Sequence, residues 1–190
     1  TNSPNYPTTA SAFDRILNNG SGTNYDIIVT ILSADGTSLT ASTFVGGGSN
    51  DGFNDLQYFY GDNFRSEVII DSFDNIYVGS NTNSSDFPST LNSFGPILNG
   101  VQDGVVFKMK YNCSSLIWSG FLGGIDHDQV TSIVLDTALN VYVCGATESN
   151  NFPTSTNALL KTYSGGKNIK SYLDLYTKHS DGFITKISAL

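Results

Sequence analysis

Glutamate occupies only two positions of the chain, 67 and 148, and Lys plus Arg number 9 in 190 residues. So little Glu, with little Ala beside it, argues against a long helical bundle, whose exposed faces need strong helix formers. The 9 basic residues face 17 acidic ones, for a net charge of −8. Nucleic acid is therefore excluded as a partner, because phosphate binding needs clustered positive charge. The two cysteines, Cys113 and Cys144, are too few for a disulfide scaffold or a cysteine zinc site, and are read as separate thiols packed as small residues. The longest apolar runs are three or four residues, such as Val68–Ile70, far short of the roughly 20 that span a bilayer as a helix. Membrane insertion is not expected. The first residues, Thr1-Asn2-Ser3-Pro4, show neither a basic region nor an apolar signal core, so a signal peptide is absent or already removed.

What is abundant points the other way. Glycine (19), tyrosine (10) and phenylalanine (12) suit short strands and tight turns. Charged residues are 14% of the chain, so Asn, Ser, Thr and Gly must cover much of the surface. At about 100–200 residues per domain, the chain is one domain.

The sequence repeats itself. Thr1–Thr9 returns as Thr82–Thr90 and again as Thr147–Ser155, on the pattern Thr-x-Ser-x-x-aromatic-Pro-Thr/Ser-Thr/Ser. Asp26–Ile31 returns as Asp103–Lys108 and Asp181–Lys186. Thr43-Phe44-Val45-Gly46-Gly47 returns as Gly120-Phe121-Leu122-Gly123-Gly124. Val68–Asp71 with Asn75–Gly79 returns as Ile133–Asp136 with Asn140–Gly145. The order is constant and the spacing is not, so the difference lies in insertions: a Tyr-rich one near 56–64, and one between Lys161 and Ser180.

Each unit reads as four short strands in an antiparallel meander of about 45 residues, the size of a β-propeller blade. The boundaries are an incoming connection over 1–25, a unit over 26–81, a connection plus second unit over 82–146, and a connection, insertion and first strand over 147–190. The predicted fold is all-β: two full blades plus part of a third, as a segment of a larger propeller. Two units cannot close a ring of the usual 4–8 blades. A segment of a longer chain, or a partner in an assembly, is therefore expected, with a self-sufficient two-blade domain as the alternative.

These landmarks together resemble the SBBP repeats, β-propeller repeats of secreted and cell-surface bacterial proteins. The resemblance covers most of the chain outside the insertions. Two positions depart from it: Asp74 and Leu139 stand where the pattern has Gly. The resemblance implies a large exported protein, sometimes one using the type IX secretion route, located outside the cell or on its surface.

Candidate chemistry divides into repeated and unrepeated residues. Asp26, Asp103 and Asp181 recur, as do Asp71 and Asp136, so they are read as turn-fixing residues of the blade. Phe87-Pro88 and Phe152-Pro153 are read as anchors of the long connections, and Lys108 and Lys186 as residues of an exposed strand face. Asp51, Asn54 and Asp55 form an oxygen-rich loop that could hold calcium. No Glu closes that loop, and a solvated turn explains it more simply. Asp126-His127-Asp128 could ligate a metal or act as a base, but no nucleophile motif accompanies it, which favours a surface loop. His179 beside Ser180-Asp181 is sequence adjacency, not triad geometry.

Unrepeated loops are free to bind. Tyr58, Phe59, Tyr60 and Phe64 form an aromatic cluster that suits a protein or a cell-surface glycan, or alternatively a local satellite core. Tyr163, Tyr172 and Tyr176 lie in the second insertion. Asn19, Asn83 and Asn112 begin Asn-x-Ser sequons. The function expected is a non-catalytic structural or adhesive module without a cofactor, ahead of a carbohydrate-binding module and, third, a propeller hydrolase.

Overall fold

The computed structural model describes residues 1–18, 22–54, 63–165 and 180–189. Among them there are nine strands and no helix, hence no helix long and apolar enough to cross a membrane. The strands are β1 (Ile27–Leu32), β2 (Leu39–Val45), β3 (Glu67–Ile70), β4 (Ile76–Thr82), β5 (Asp103–Met109), β6 (Leu116–Leu122), β7 (Asp128–Leu135), β8 (Val141–Thr147) and β9 (Asp181–Ile187). All named pairings are antiparallel between consecutive strands.

The sheets are cut differently from the sequence units. β3-β4-β5-β6 forms one four-stranded sheet, β1-β2 a two-stranded sheet and β7-β8-β9 a three-stranded one. The meander expected over 104–145 is thus split. Its first two strands finish one sheet, and its last two begin the next. The reason is the long connection. The link over 83–102 does not separate sheets but lies along one, because β4 and β5 pair over seven residues, from Ile76↔Met109 to Thr82↔Asp103. The short Gly-Gly link after β6 is the one that passes between sheets.

Two apolar layers join the three sheets. Ile27, Val29, Ala41 and Val45 of the first sheet pack with Val78, Val105, Phe107 and Met109 of the second. Tyr77 and Val106 on the other face of the second sheet pack with Val130, Ile133, Val141 and Val143 of the third. β5 is covered on both faces, which explains its near-continuous apolar run Val105-Val106-Phe107. Burying each such side chain contributes roughly 1.5–3 kcal/mol. Gly79 belongs to this contact: a Cβ there would stand 2.7 Å from Val130 Cγ1.

The connections are pinned as straps. Phe87 is buried against Phe107 and Phe121, at 6.3 and 6.1 Å between ring centres. Phe152 packs on Phe183 at 4.4 Å, and Tyr6 on Phe44 at 6.2 Å. The anchoring role expected of the aromatic-Pro pairs is the observed one. Two residues further, Thr9 and Thr90 hydrogen-bond the edge strands: their N–H groups donate to Ser42 O and Ser119 O, at 3.1 and 3.0 Å. Their Oγ1 atoms accept from Ser42 N and Ser119 N in return. The straps therefore occupy the free edges of β2 and β6.

Asp74 and Leu139, the two departures from the repeat pattern, sit at φ +63° and +61°. The β3–β4 and β7–β8 turns need a left-handed residue, where glycine carries no Cβ penalty. Replacing Leu139 with Gly is expected to stabilise the protein by about 1 kcal/mol, once the greater freedom of the unfolded glycine is set against the relieved strain. Urea unfolding of Leu139→Gly beside the native chain checks this. A drop in stability would show that Leu139's packing outweighs its backbone strain.

Candidate functional site

Three sets of recurring carboxylates organise the loops around the sheet junctions. The first set starts β1, β5 and β9. Asp26 and Asp103 accept the strap N–H groups of Asn18 and Asn99, both at 2.9 Å, and Asp181 accepts that of Ser164 at 2.6 Å. The second set, Asp71 and Asp136, closes the β3–β4 and β7–β8 turns. Asp71 accepts from Phe73 N and Asn75 N, each at 2.9 Å, and from Tyr77 Oη at 3.2 Å. Asp136 accepts from Ala138 N, Asn140 N and Tyr142 Oη in the same way. Burial opposes ionisation of Asp71, but hydrogen bonds from Asn75 and Lys108 hold its carboxyl at about 2. Lys108 is not on an exposed face as expected. Its Nζ lies 3.1 Å from Asp71 and 4.7 Å from the centre of the Tyr77 ring. Lys186 repeats the arrangement more loosely, 4.0 Å from Asp136 and 5.2 Å from the Tyr142 ring.

The third set is Asp51 and Asp128, each five residues after the first Gly of a Gly-Gly pair. Asp51 accepts from Gly47 N at 2.7 Å, Ser84 Oγ at 2.9 Å and Thr82 Oγ1. Asp128 accepts from Gly124 N and Ser149 Oγ, both at 2.7 Å. This repetition shows what the oxygen-rich loop is for: Asp51 gathers protein donors. Asn54 accepts from Gln102 Nε2 at 3.1 Å, and Asp55 lies outside the described residues. The Gly-Gly-x-x-x-Asp spacing was visible in the sequence and would have identified the set.

Set one and set three meet. A Cβ on Gly46 would stand 2.7 Å from Asp26 Oδ1 and 2.8 Å from Asp51 Oδ2, and Gly123 is flanked likewise by Asp103 and Asp128. Only glycine fits between the paired carboxylates. All four are buried, and among the described residues Asp26 Oδ1, Asp103 Oδ1 and Asp128 Oδ1 have no hydrogen-bond partner. Burial pushes Asp26 up to about 6 and both Asp51 and Asp103 up to about 7. The paired carboxylate adds to the rise at Asp51 (from Asp26) and at Asp103 (from Asp128), and Asp14 and Asp86 add to it at Asp26. Burial raises Asp128 too.

Residues 66–88 and 117–153 match the family model of the SBBP beta-propeller repeat. Over these two segments the chain is similar to the SBBP beta-propeller repeat. The first match takes in β3, β4 and the strap as far as Phe87-Pro88; the second takes in β6, β7, β8 and Phe152-Pro153. The second and third carboxylate sets lie inside or beside these SBBP segments. No curated protein matches the chain.

The unrepeated residues divide. Phe64 is 58% exposed and meets Phe53 and Tyr25 edge to face, at 5.1 and 5.2 Å, while Tyr25 and Phe53 stack at 5.4 Å. Tyr58, Phe59 and Tyr60 lie outside the described residues, as do Tyr172, Tyr176 and His179. Asp126-His127-Asp128 does not act as one group. Asp128 turns inward to Gly124 N and Ser149 Oγ, whereas Asp126 and His127 join Glu148. Glu148 was missed, although it is one of only two Glu. Its partners are distant in sequence, and only the pairing of β7 with β8 brings them together. Cys113 and Cys144 are both free.

The paired carboxylates set the response to pH. Their folded pKa values lie above those of an unfolded aspartate, so the folded chain binds more protons between about pH 4 and 7. Stability from these groups is complete below about pH 4 and is lost as pH rises through 6 to 7. Asp71 acts oppositely, but only below about pH 4. Asp103→Asn is expected to be more stable than the native chain at pH 8 and to flatten the fall between pH 5 and 8, as read by urea unfolding. Identical slopes for the two proteins would remove Asp103 from the account.

Proposed function

We propose that the chain is a non-catalytic structural and adhesive module of a secreted bacterial cell-surface protein. Its sheets stack with further sheets of the same kind, and its loops bind a protein or surface partner. One comparison within the molecule carries the stacking. Ile133 of β7 is 1% exposed because it packs on the preceding sheet, whereas Val68, its counterpart in β3, is 60% exposed. Val106 of β5 is fully buried by the following sheet, whereas its counterpart Ile184 in β9 is 82% exposed. β3 thus offers the face that covers, and β9 the face that is covered. Each is apolar, and each has a counterpart that is buried within the chain.

The non-catalytic reading is supported by the structural work done by each recurring carboxylate. Secretion and surface location rest on what SBBP repeats imply and on the amide-rich, lightly charged composition. A carbohydrate-binding role is the second reading. It is favoured by the exposed Phe64 ring beside Tyr25 and Phe53, which could stack on a sugar.

Light scattering against concentration tests the stacking. The native chain is expected to associate head to tail, and Val68→Asp or Ile184→Asp alone to be monomeric. A mixture of these two variants is expected to stop at dimers, because one intact face remains on each. A native chain that stays monomeric while binding a glycan saturably, with affinity lost on Phe64→Ala, would favour the carbohydrate reading instead.

A further inference from the structure

Among the described residues, one group of three metal-ligating side chains converges: Asp126, His127 and Glu148, whose ligand atoms lie within 4.8 Å of one another. His127 Nδ1 stands 3.1 Å from Asp126 Oδ1 and 3.6 Å from Glu148 Oε2. The backbone that presents them is held independently of their side chains. Glu148 N donates to His127 O at 2.8 Å, and Asp126 N donates to Ser149 Oγ at 2.9 Å.

The preceding repeat has the same backbone arrangement. There Asn83 N donates to Asn50 O at 2.8 Å, and Ser49 N donates to Ser84 Oγ at 2.9 Å. The three corresponding side chains are Ser49, Asn50 and Asn83, all neutral. The junction therefore folds without charge at these positions. The second copy places there an imidazole and two carboxylates, drawing on one of two His and one of two Glu in the chain.

A proton on Nδ1 can point well at only one of the two carboxylates. A divalent cation answers all three groups at once. Bonds of about 2.1 Å at a tetrahedral centre put neighbouring ligand atoms about 3.4 Å apart, and the 3.1 and 3.6 Å separations bracket that value. One nitrogen with two oxygens suits zinc and its neighbours, not calcium, which takes six or more oxygens.

We propose that Asp126, His127 and Glu148 bind a divalent transition-metal ion of the zinc type. The ion ties the loop between β6 and β7 to the exit of β8, clamping the junction of two sheets. Three protein ligands leave a fourth position for water or for a ligand atom of a partner. Asp126 and His127 side chains, each 24% exposed, put that position within reach of solvent.

Calorimetric titration of the metal-free full chain with Zn²⁺ tests this, together with its melting temperature at increasing free Zn²⁺. One saturable equivalent and a melting temperature that climbs with free Zn²⁺ are expected. The variant H127N/E148N installs the residues of the sister repeat, so its fold is expected to survive, as circular dichroism would show. Its affinity is expected to fall at least 100-fold. The reverse change, S49D/N50H/N83E, is expected to add a second equivalent. Absence of binding, preference for Ca²⁺ over Zn²⁺, or unchanged affinity in H127N/E148N (binding at cysteine or His179) would each overturn the proposal.

Discussion

The buried carboxylate that follows each Gly-Gly turn is what the sheet junctions hang on. At Asp128 the chain has just left one sheet and is starting the next, and at Asp51 it has left β2 and bridges to Thr82 at the end of β4, while the strap from the following hairpin passes alongside. A glycine amide and the hydroxyl of the strap Ser converge on one carboxylate. Remove that acceptor and these buried donors lose their partner, at a cost of about 1–3 kcal/mol for each. The Thr of the strap adds a local turn, since its Oγ1 accepts the N–H two residues on, in Thr82/Ser84 and in Thr147/Ser149. Several sequence landmarks are thus parts of one device. The second Gly supplies an amide, the first leaves room for two carboxylates, and Thr-x-Ser supplies hydroxyls.

Much of this was legible before the fold was known, because local chemistry was repeated. The strands, the turn role of Asp71 and Asp136, and the anchoring of Phe87 and Phe152 depend on residues close in sequence, or on patterns seen twice. The frame of the sheets was not legible. Strand periodicity gives no sign of whether a strand pairs with the one before a long connection or the one after it. Only the β4–β5 ladder decides that. Lys108 was misplaced for a related reason. It was read on an exposed strand face, but Asp71 from the β3–β4 turn and Tyr77 from the neighbouring strand cover it.

Within the candidate sites, legibility fell with distance along the chain. Asp126 and His127 are adjacent and drew attention. Glu148 lies beyond a whole hairpin and did not. Asp51 drew attention as part of an oxygen-rich loop, read as a turn ahead of a calcium site, and such a loop looks the same whether its carboxylate faces a cation or a ring of protein donors. The distinction is visible only as direction, here toward Gly47, Thr82 and Ser84.

The half-sheet offset between repeat and sheet governs how such an array can lengthen. A duplicated unit starting at Asp26 or Asp103 contributes two strands to a sheet already begun and two to a new one. Each added unit is thereby hydrogen-bonded into its predecessor before its own sheet is complete. Growth by duplication leaves no seam between old and new repeats, and pulling one unit away means tearing a β-ladder of seven residue pairs, not merely parting two apolar faces.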